Sequence, residues 1–350
     1  MDTPSDHPAA PAPKRRRRLQ RLLLVTLSLG LALGVGEVVA RAKYGSPRPE
    51  LRPLLRVRAH ATRGWEMIPA QTHYTYTHEV RVNSLGLRGP EPAPPLPDER
   101  RVLLVGDSLI YGQGVAEDQT VSAHLERLGD ASGEAWSVFN GGLRAYATHQ
   151  ELALLADVGP ELAPTDVVLC WYWNDFDERD LERTYEKLTD SGPIAFDLGV
   201  AAKGAALWKW RATQLLRKSA LVMHLYDRWR DGRRKPKGTA YYDEGFERLA
   251  GYLPEFLKQC EKLGATFRVA LLPHPTGIGR PDAPSSRIEA RALELFEGQG
   301  LAYSDLTPAL MDYGREHGSV PTIPFDGHYE GPANAAMARA LLAALSAASE

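Results

Sequence analysis

The sequence predicts an α/β fold: a three-layer α/β/α sandwich whose mostly parallel sheet of about five strands follows the flavodoxin-like pattern. Three observations carry this. Arg101–Val105 ends in a continuous apolar run that stops at Gly106, as strands buried on both faces of a parallel sheet do. Comparable runs follow at Trp136–Asn140, Asp166–Trp173, Thr266–Leu272 and Leu301–Leu306. The intervals between them hold helical patterns. These are Thr120–Leu128; Thr148–Val158, with Thr148 as its cap and Glu151 three residues on; Tyr241–Leu263; Ser285–Gly298; and an Ala- and Leu-rich helix from Pro332 to Ala347.

Ahead of the sheet the chain divides into three parts. Residues 1–21 read as a disordered tail, rich in Pro and Ala and then basic at Lys14–Arg18 and Arg21. Residues 22–40 form an apolar run broken only by Glu37, close to the ~20 residues that span a bilayer. The basic cluster before it favours a cytoplasmic N-terminus and an extracytoplasmic remainder, periplasmic or at the cell surface. Ala40-Arg41-Ala42 also fits a cleaved secretory signal, and the arginine run fits twin-arginine export. The length of the apolar run favours an uncleaved anchor, and all three readings deliver the chain to the same side. Residues 41–100 read as a linker, with Pro47, Pro49 and Pro53, followed by a small β extension. In that extension His73–Val82 alternates in β fashion and Asn83-Ser84-Leu85-Gly86 is turn chemistry.

The 350 residues carry a net charge of −2, which gives no electrostatic reason for a nucleic-acid partner. The two cysteines, Cys170 in an apolar run and Cys260 in a helical pattern, read as buried thiols. No P-loop or zinc-ligand spacing is present, and His73 and His78 lack a third ligand, so neither cofactor nor metal is expected.

Chemistry gathers at the carboxyl ends of the predicted strands, where open α/β sheets bind ligands. Gly106-Asp107-Ser108 turns out of the first strand and leaves Ser108 at the start of a helix. Asp166–Trp173 ends in Asn174-Asp175 at the same sheet edge, and Phe325-Asp326-Gly327-His328 precedes the last helix. Singly, each has an ordinary explanation: Asp107, Ser108 and Asn174 as helix caps, His328 as a surface histidine. Jointly, serine, asparagine and Asp-x-His in this order resemble the blocks of the SGNH, or GDSL-type, hydrolase family, over about residues 101–345. The stretch NSLGLRGPE before a Pro-rich spacer is similar to the N-terminal region of membrane-linked members.

The resemblance implies Ser108 as nucleophile, His328 as general base and Asp326 as the acid that orients the imidazole. It implies an oxyanion hole built from the Ser108 N–H, the Asn174 side chain and a glycine N–H in the second block. That block reads Asn140-Gly141-Gly142-Leu143-Arg144-Ala145 and departs from the pattern, with Ala145 at the glycine position. A positive φ is costly for alanine, and Gly142 is the alternative donor. The residue types belong together because a serine hydroxyl needs a neutral imidazole to take its proton as it attacks. The resulting oxyanion then needs fixed donors, each worth about 10²–10³ in rate.

Between Phe176 and Ala240 the alternation pauses. Asp177, Glu178, Asp180 and Glu182 read as a solvated surface, and Leu207–Arg234 is a basic amphipathic stretch containing Trp208, Trp210 and Trp229. A cap over the site ranks first for this insert, ahead of a helix on the membrane surface and a helical pair on the sheet. His274, at the active edge, lacks an acid at fixed spacing and reads as part of the wall. The expected function is a serine esterase that hydrolyses acyl, foremost O-acetyl, esters of an extracytoplasmic carbohydrate or lipid. The same triad serves an O-acyltransferase of envelope polysaccharide. A catalytically inactive carbohydrate-binding module is the third reading, and Ala145 is the feature pointing to it.

Overall fold

The computed structural model describes residues 14–178, 180–198, 203–233 and 237–347; the tail expected over residues 1–13, and Arg234 of the insert, lie outside the described residues. Helix α1 (Lys14–Tyr44) leads into two short antiparallel pairs, β1 (Arg56–His60) with β2 (Gly64–Met67) and β3 (Thr72–Thr75) with β4 (His78–Arg81). The β–α alternation then begins: β5 (Arg100–Gly106), α2 (Ser108–Tyr111), α3 (Val121–Asp130), β6 (Trp136–Gly142), α4 (Thr148–Leu162) and β7 (Asp166–Trp171). The insert holds α5 (Leu181–Ser191), the two-residue β8 (Ile194–Ala195), α6 (Gly204–Leu216) and α7 (Ala220–Asp231). The alternation resumes with α8 (Thr239–Leu263), β9 (Thr266–Leu271), α9 (Pro284–Gly298), β10 (Tyr303–Asp305), α10 (Thr307–His317) and α11 (Gly331–Ser346).

The central sheet has the order β10-β9-β7-β5-β6 with every pairing parallel. Numbered along the chain within the sheet this is 2-1-3-4-5, the flavodoxin-like order, whose switch point lies between β5 and β7. Alternate residues of the strands feed two cores. Leu103, Val105, Leu169, Trp171 and Leu271 pack towards α4, α8 and α9, whereas Val102, Leu104, Val168, Cys170 and Ala270 pack towards α3 and α11. Both cysteines are buried and unbonded.

Several boundaries differ from those expected. The first helix starts at Lys14, so residues 14–21 are helical rather than tail, and it continues to Tyr44. Arg, Lys, Gln and Leu are good helix formers that propagate a helix nucleated by the apolar run, and Gly45 at φ 83° ends it. His73–Val82 is a hairpin rather than one strand, because Tyr76 (φ 53°) turns the chain between β3 and β4. The β7 strand stops at Trp171, and Trp173 opens a short 3₁₀ turn beside His274. Ala147, not Thr148, precedes α4, and Gln150 reaches back to the Ala147 N–H at 3.3 Å. The insert is not separate from the extension: β8 adds to β1, α5 packs on β1 and β2, and α7 packs on α1 instead of on the sheet.

One buried cation ties the extension to the loop after α2. Arg88, 2% exposed, donates to the carbonyls of Tyr111 (2.8 Å), Gly112 (2.7 Å) and Val115 (2.9 Å). Arg88→Met removes these charge-assisted bonds and leaves buried carbonyls unpaired. Denaturant unfolding is expected to show a loss of about 3–5 kcal/mol; a loss below about 1 kcal/mol would mean that water replaces the guanidinium at no cost.

Candidate active site

Strand β5 is hydrogen-bonded on both sides as far as Gly106, so the chain leaves the sheet at one rim with Asp107 as the cap of α2 and Ser108 as its first residue. The Asp107 carboxylate accepts the Leu109 N–H at 2.8 Å, which fixes the first turn. At this position the Ser108 N–H has no acceptor within its helix and faces out of the helix end. The Ser108 hydroxyl lies 2.7 Å from His328 Nε2, although the two residues are 220 positions apart.

The loop before α11 delivers the histidine. Phe325 (φ 63°) and Gly327 (φ 92°) fold it back, and the Ile323 N–H donates to the His328 carbonyl at 2.8 Å. In this turn Asp326 Oδ1 accepts the His328 backbone N–H (3.1 Å) and pairs closely with His328 Nδ1. That pairing assigns the ring proton to Nδ1 and leaves Nε2 as an acceptor towards Ser108. Asp326 Oδ2 accepts the Tyr76 hydroxyl and, at 2.8 Å, Gln113 Nε2. Burial alone pushes the Asp326 carboxyl up, but the charge that His328 carries once protonated, its hydrogen bonds and the Tyr76 hydroxyl outweigh it. The group is held well below the usual carboxylate range. Tyr76 and Gln113 were not singled out in the sequence. The β alternation around Tyr76 gave no sign of a turn that aims its hydroxyl at the far end of the chain.

The three expected oxyanion donors are held in different ways. Asn174, in the turn after β7, donates through Nδ2 to Asp107 Oδ2 at 3.0 Å, which leaves the second hydrogen of that amide available. Ala145 adopts φ 61°, the strained left-handed region expected at the block's glycine position. Its N–H has no acceptor among the described residues. The alternative donor, Gly142, is differently placed. Its N–H is committed to Asn140 Oδ1 at 3.0 Å, and a Cβ there would lie 2.0 Å from the Tyr111 nitrogen, so this glycine serves close packing of β6 on α2. Next to Ala145, Arg144 forms a two-pronged ion pair with Asp197 of the insert (2.8 and 3.2 Å).

His274 stacks on Tyr172 at 5.9 Å and its Nδ1 meets the Thr276 hydroxyl at 2.7 Å, and it is not among the residues that line the cavity beside Asp326. Beneath the rim lies an unexpected acid. Glu151, in the first turn of α4, is fully buried, and neither carboxyl oxygen has a partner among the described residues. Burial first, and then the neighbouring Asp107, pushes its carboxyl well above the usual range. Asp175 is pushed the same way by burial and by Glu151, although it accepts the Tyr172 N–H at 2.8 Å. No group of metal-ligating side chains is found among the described residues.

No family model matches the chain, and no curated protein matches it. Solved structures that it resembles include TesA, at 16% identity and a TM-score of 0.43 over 71% of this chain and 99% of that one. A lipase/acylhydrolase from Enterococcus faecalis is similar at 16% identity and a TM-score of 0.41, over 71% of this chain and 96% of that one. The acetyl xylan esterase AlAXEase is similar at 10% identity and a TM-score of 0.43, over 70% of this chain and 99% of that one. Likeness at this level says nothing about activity, which has to be read from the side chains themselves.

Two expectations of opposite sign follow. A carboxylate with a depressed folded-state value contributes stability that is complete above its unfolded value of about 4 and is lost as the pH falls through the folded value. Wild type is therefore expected to be more stable than Asp326→Asn at pH 7, with the gap closing in acid; a gap independent of pH would contradict the anionic assignment. Glu151, with its raised value, contributes stability that is complete in acid and lost as the pH rises above about 4. Unfolding midpoints should show Glu151→Gln more stable than wild type at pH 8 and equal to it at pH 3.

Proposed function

We propose that this chain is an extracytoplasmic serine esterase of the SGNH type, held to the membrane by α1, that removes acyl groups, foremost O-acetyl, from a carbohydrate. The observation that carries the reading is the continuous hydrogen-bonded line from the Ser108 hydroxyl through the His328 ring to the Asp326 carboxylate. α1 is long and apolar enough to cross a membrane, and its leucines and valines are exposed along the span. A cavity of about 550 Å³ beside Asp326 supports a sugar over a lipid. Arg144, Lys209, Gln214, Trp210 and Tyr76 line it, offering hydrogen bonds and an aromatic face rather than an acyl groove.

The chemistry follows from the geometry. Ser108 Oγ attacks the ester carbonyl while its proton passes to His328 Nε2, and Asp326 stabilises the imidazolium that forms. The N–H groups of Ser108 and Ala145 and the free amide hydrogen of Asn174 receive the negative charge on the tetrahedral oxygen. Collapse of that intermediate expels the sugar alkoxide, which takes the proton from His328 and leaves an acyl-Ser108 ester. Water, deprotonated by His328, then releases the carboxylic acid and restores the serine.

Purified protein is expected to release p-nitrophenol from p-nitrophenyl acetate and to take a fluorophosphonate label on Ser108. Ser108→Ala and His328→Ala should each lower kcat by about 10⁴-fold or more with an unchanged circular dichroism spectrum. Full activity in Ser108→Ala would refute the assignment.

A further inference from the structure

The α6–α7 hairpin exposes large apolar side chains among basic ones. Trp208, Leu215 and Leu216 of α6 are 60–69% exposed, and no residue of α6 is buried. On α7, Leu225, Tyr226 and Trp229 lie within two turns of one another and are about half exposed. Between residues 204 and 233 there are seven Lys or Arg residues against two Asp, in a chain whose overall charge is −2. Arg211 lies over Trp208 at 5.1 Å and Arg233 over Trp229 at 4.6 Å. Apolar rings under guanidinium groups suit the boundary between acyl chains and phosphates.

Where this surface sits is fixed by its attachment to α1. The Glu37 carboxylate, the only charge in the apolar run, accepts the N–H groups of Ala220 and Leu221 (both 3.0 Å) and the Ser219 hydroxyl (2.6 Å). It caps the N-terminus of α7 from a different helix, which explains an acid at that position. Arg41 donates to the Lys218 carbonyl at 2.6 Å, Tyr44 stacks on His224 at 4.2 Å, and Leu221 packs on Gly36, where a Cβ would lie 3.1 Å from the leucine. Gly36 and Glu37 belong to the outer end of the apolar run. The turn from Leu215 to Leu221 is therefore held at the depth where hydrocarbon gives way to headgroups.

We propose that the α6–α7 hairpin rests in the outer interface of an anionic phospholipid leaflet, with Leu215, Leu216 and Leu225 at the acyl boundary and Arg211, Lys218, Arg228 and Arg233 on lipid phosphates. This rests on α1 being a retained membrane span. The opposite side of α6 supplies Lys209, Trp210, Gln214 and Arg217 to the cavity beside Asp326. The hairpin is thus both a roof for that cavity and a foot on the membrane, and the cavity takes substrates presented close to the leaflet.

The full chain, reconstituted in nanodiscs of phosphatidylglycerol and phosphatidylethanolamine, tests this by spin-label accessibility. Labels are placed at Leu216→Cys and Leu225→Cys, at Leu29→Cys in the middle of α1, and at Glu247→Cys on the exposed face of α8; Cys170 and Cys260 are buried and should not react. Labels at 216 and 225 are expected to be protected from a water-soluble nickel complex about five-fold relative to 247 while remaining open to oxygen, as at 29. A label at 216 as accessible to nickel as that at 247, with 29 protected, overturns the hairpin contact and leaves the span intact. A nickel-accessible label at 29 overturns both. Dipolar broadening between labels at 216 would show a second copy covering the face and also overturns the proposal.

Discussion

The Asp326 carboxylate is the group on which the rest of the site depends. Removing an anion from water is costly unless donors take over its hydration, and here three parts of the chain supply them. His328 comes from the same turn, Gln113 from the loop after α2, and Tyr76 from the turn of the N-terminal hairpin, 250 positions away. Each donor is useful only when the others are in place, so the hairpin, the serine loop and the final loop are mutually conditional. What the carboxylate receives in hydrogen bonds it returns as orientation, since the ring it holds by Nδ1 has Nε2 left for the serine.

Two carboxyls below the rim, Asp107 and Glu151, differ in the donors they find. Asp107 finds two: the Leu109 N–H and the Asn174 amide. Glu151, close enough to feel its charge, has none. An acid without donors in a fully buried place keeps its proton, and a neutral Glu151 removes what would otherwise be repulsion beneath the serine. Asp107 is therefore more than a helix cap. It links the first turn of α2 to Asn174, and so sets the spacing between Ser108 and the Asn174 amide.

Much of this was legible in the sequence. Apolar runs that end at Gly106 and near Asn174 announce strands whose carboxyl ends share a rim, and periodicity alone gives the helices between them. Ser108 and Asn174 are readable because they sit at those ends, and Asp326 and His328 because Asp-x-His stands just before the last helix. Ala145 was readable as a departure, and the structure places it in the left-handed conformation that made it conspicuous. Tyr76, Gln113 and Glu151 were not readable, for a common reason. Each acts through a contact set by tertiary packing: a turn concealed inside a β alternation, a polar residue in a glycine-rich loop, and an acid in what looks like the ordinary first turn of an amphipathic helix. The pairing of β8 with β1 was hidden likewise, because a two-residue strand has no period to detect.

The insert is where local and long-range constraints meet. A basic amphipathic hairpin with no buried face on α6 gains little from the sheet, and its own sequence does not say what orders it. Its order comes from both ends: β8 joins the sheet built by β1 and β2, and the first turn of α7 is closed by a carboxylate that α1 supplies. A helix N-terminus capped by its own Ser219 needs no second acceptor to form. Adding Glu37 therefore does little for α7 alone and much for its position, because the bond is satisfied at only one depth and one rotation of α1. A cleavage after Ala42 would remove Glu37 and Arg41, and with them the partners of Ser219, Ala220, Leu221 and the Lys218 carbonyl. The same logic accounts for the length of α1 beyond the apolar run: the extra turn to Tyr44 carries the chain past the hairpin to Pro324 and Phe325, at the edge of the loop that presents Asp326.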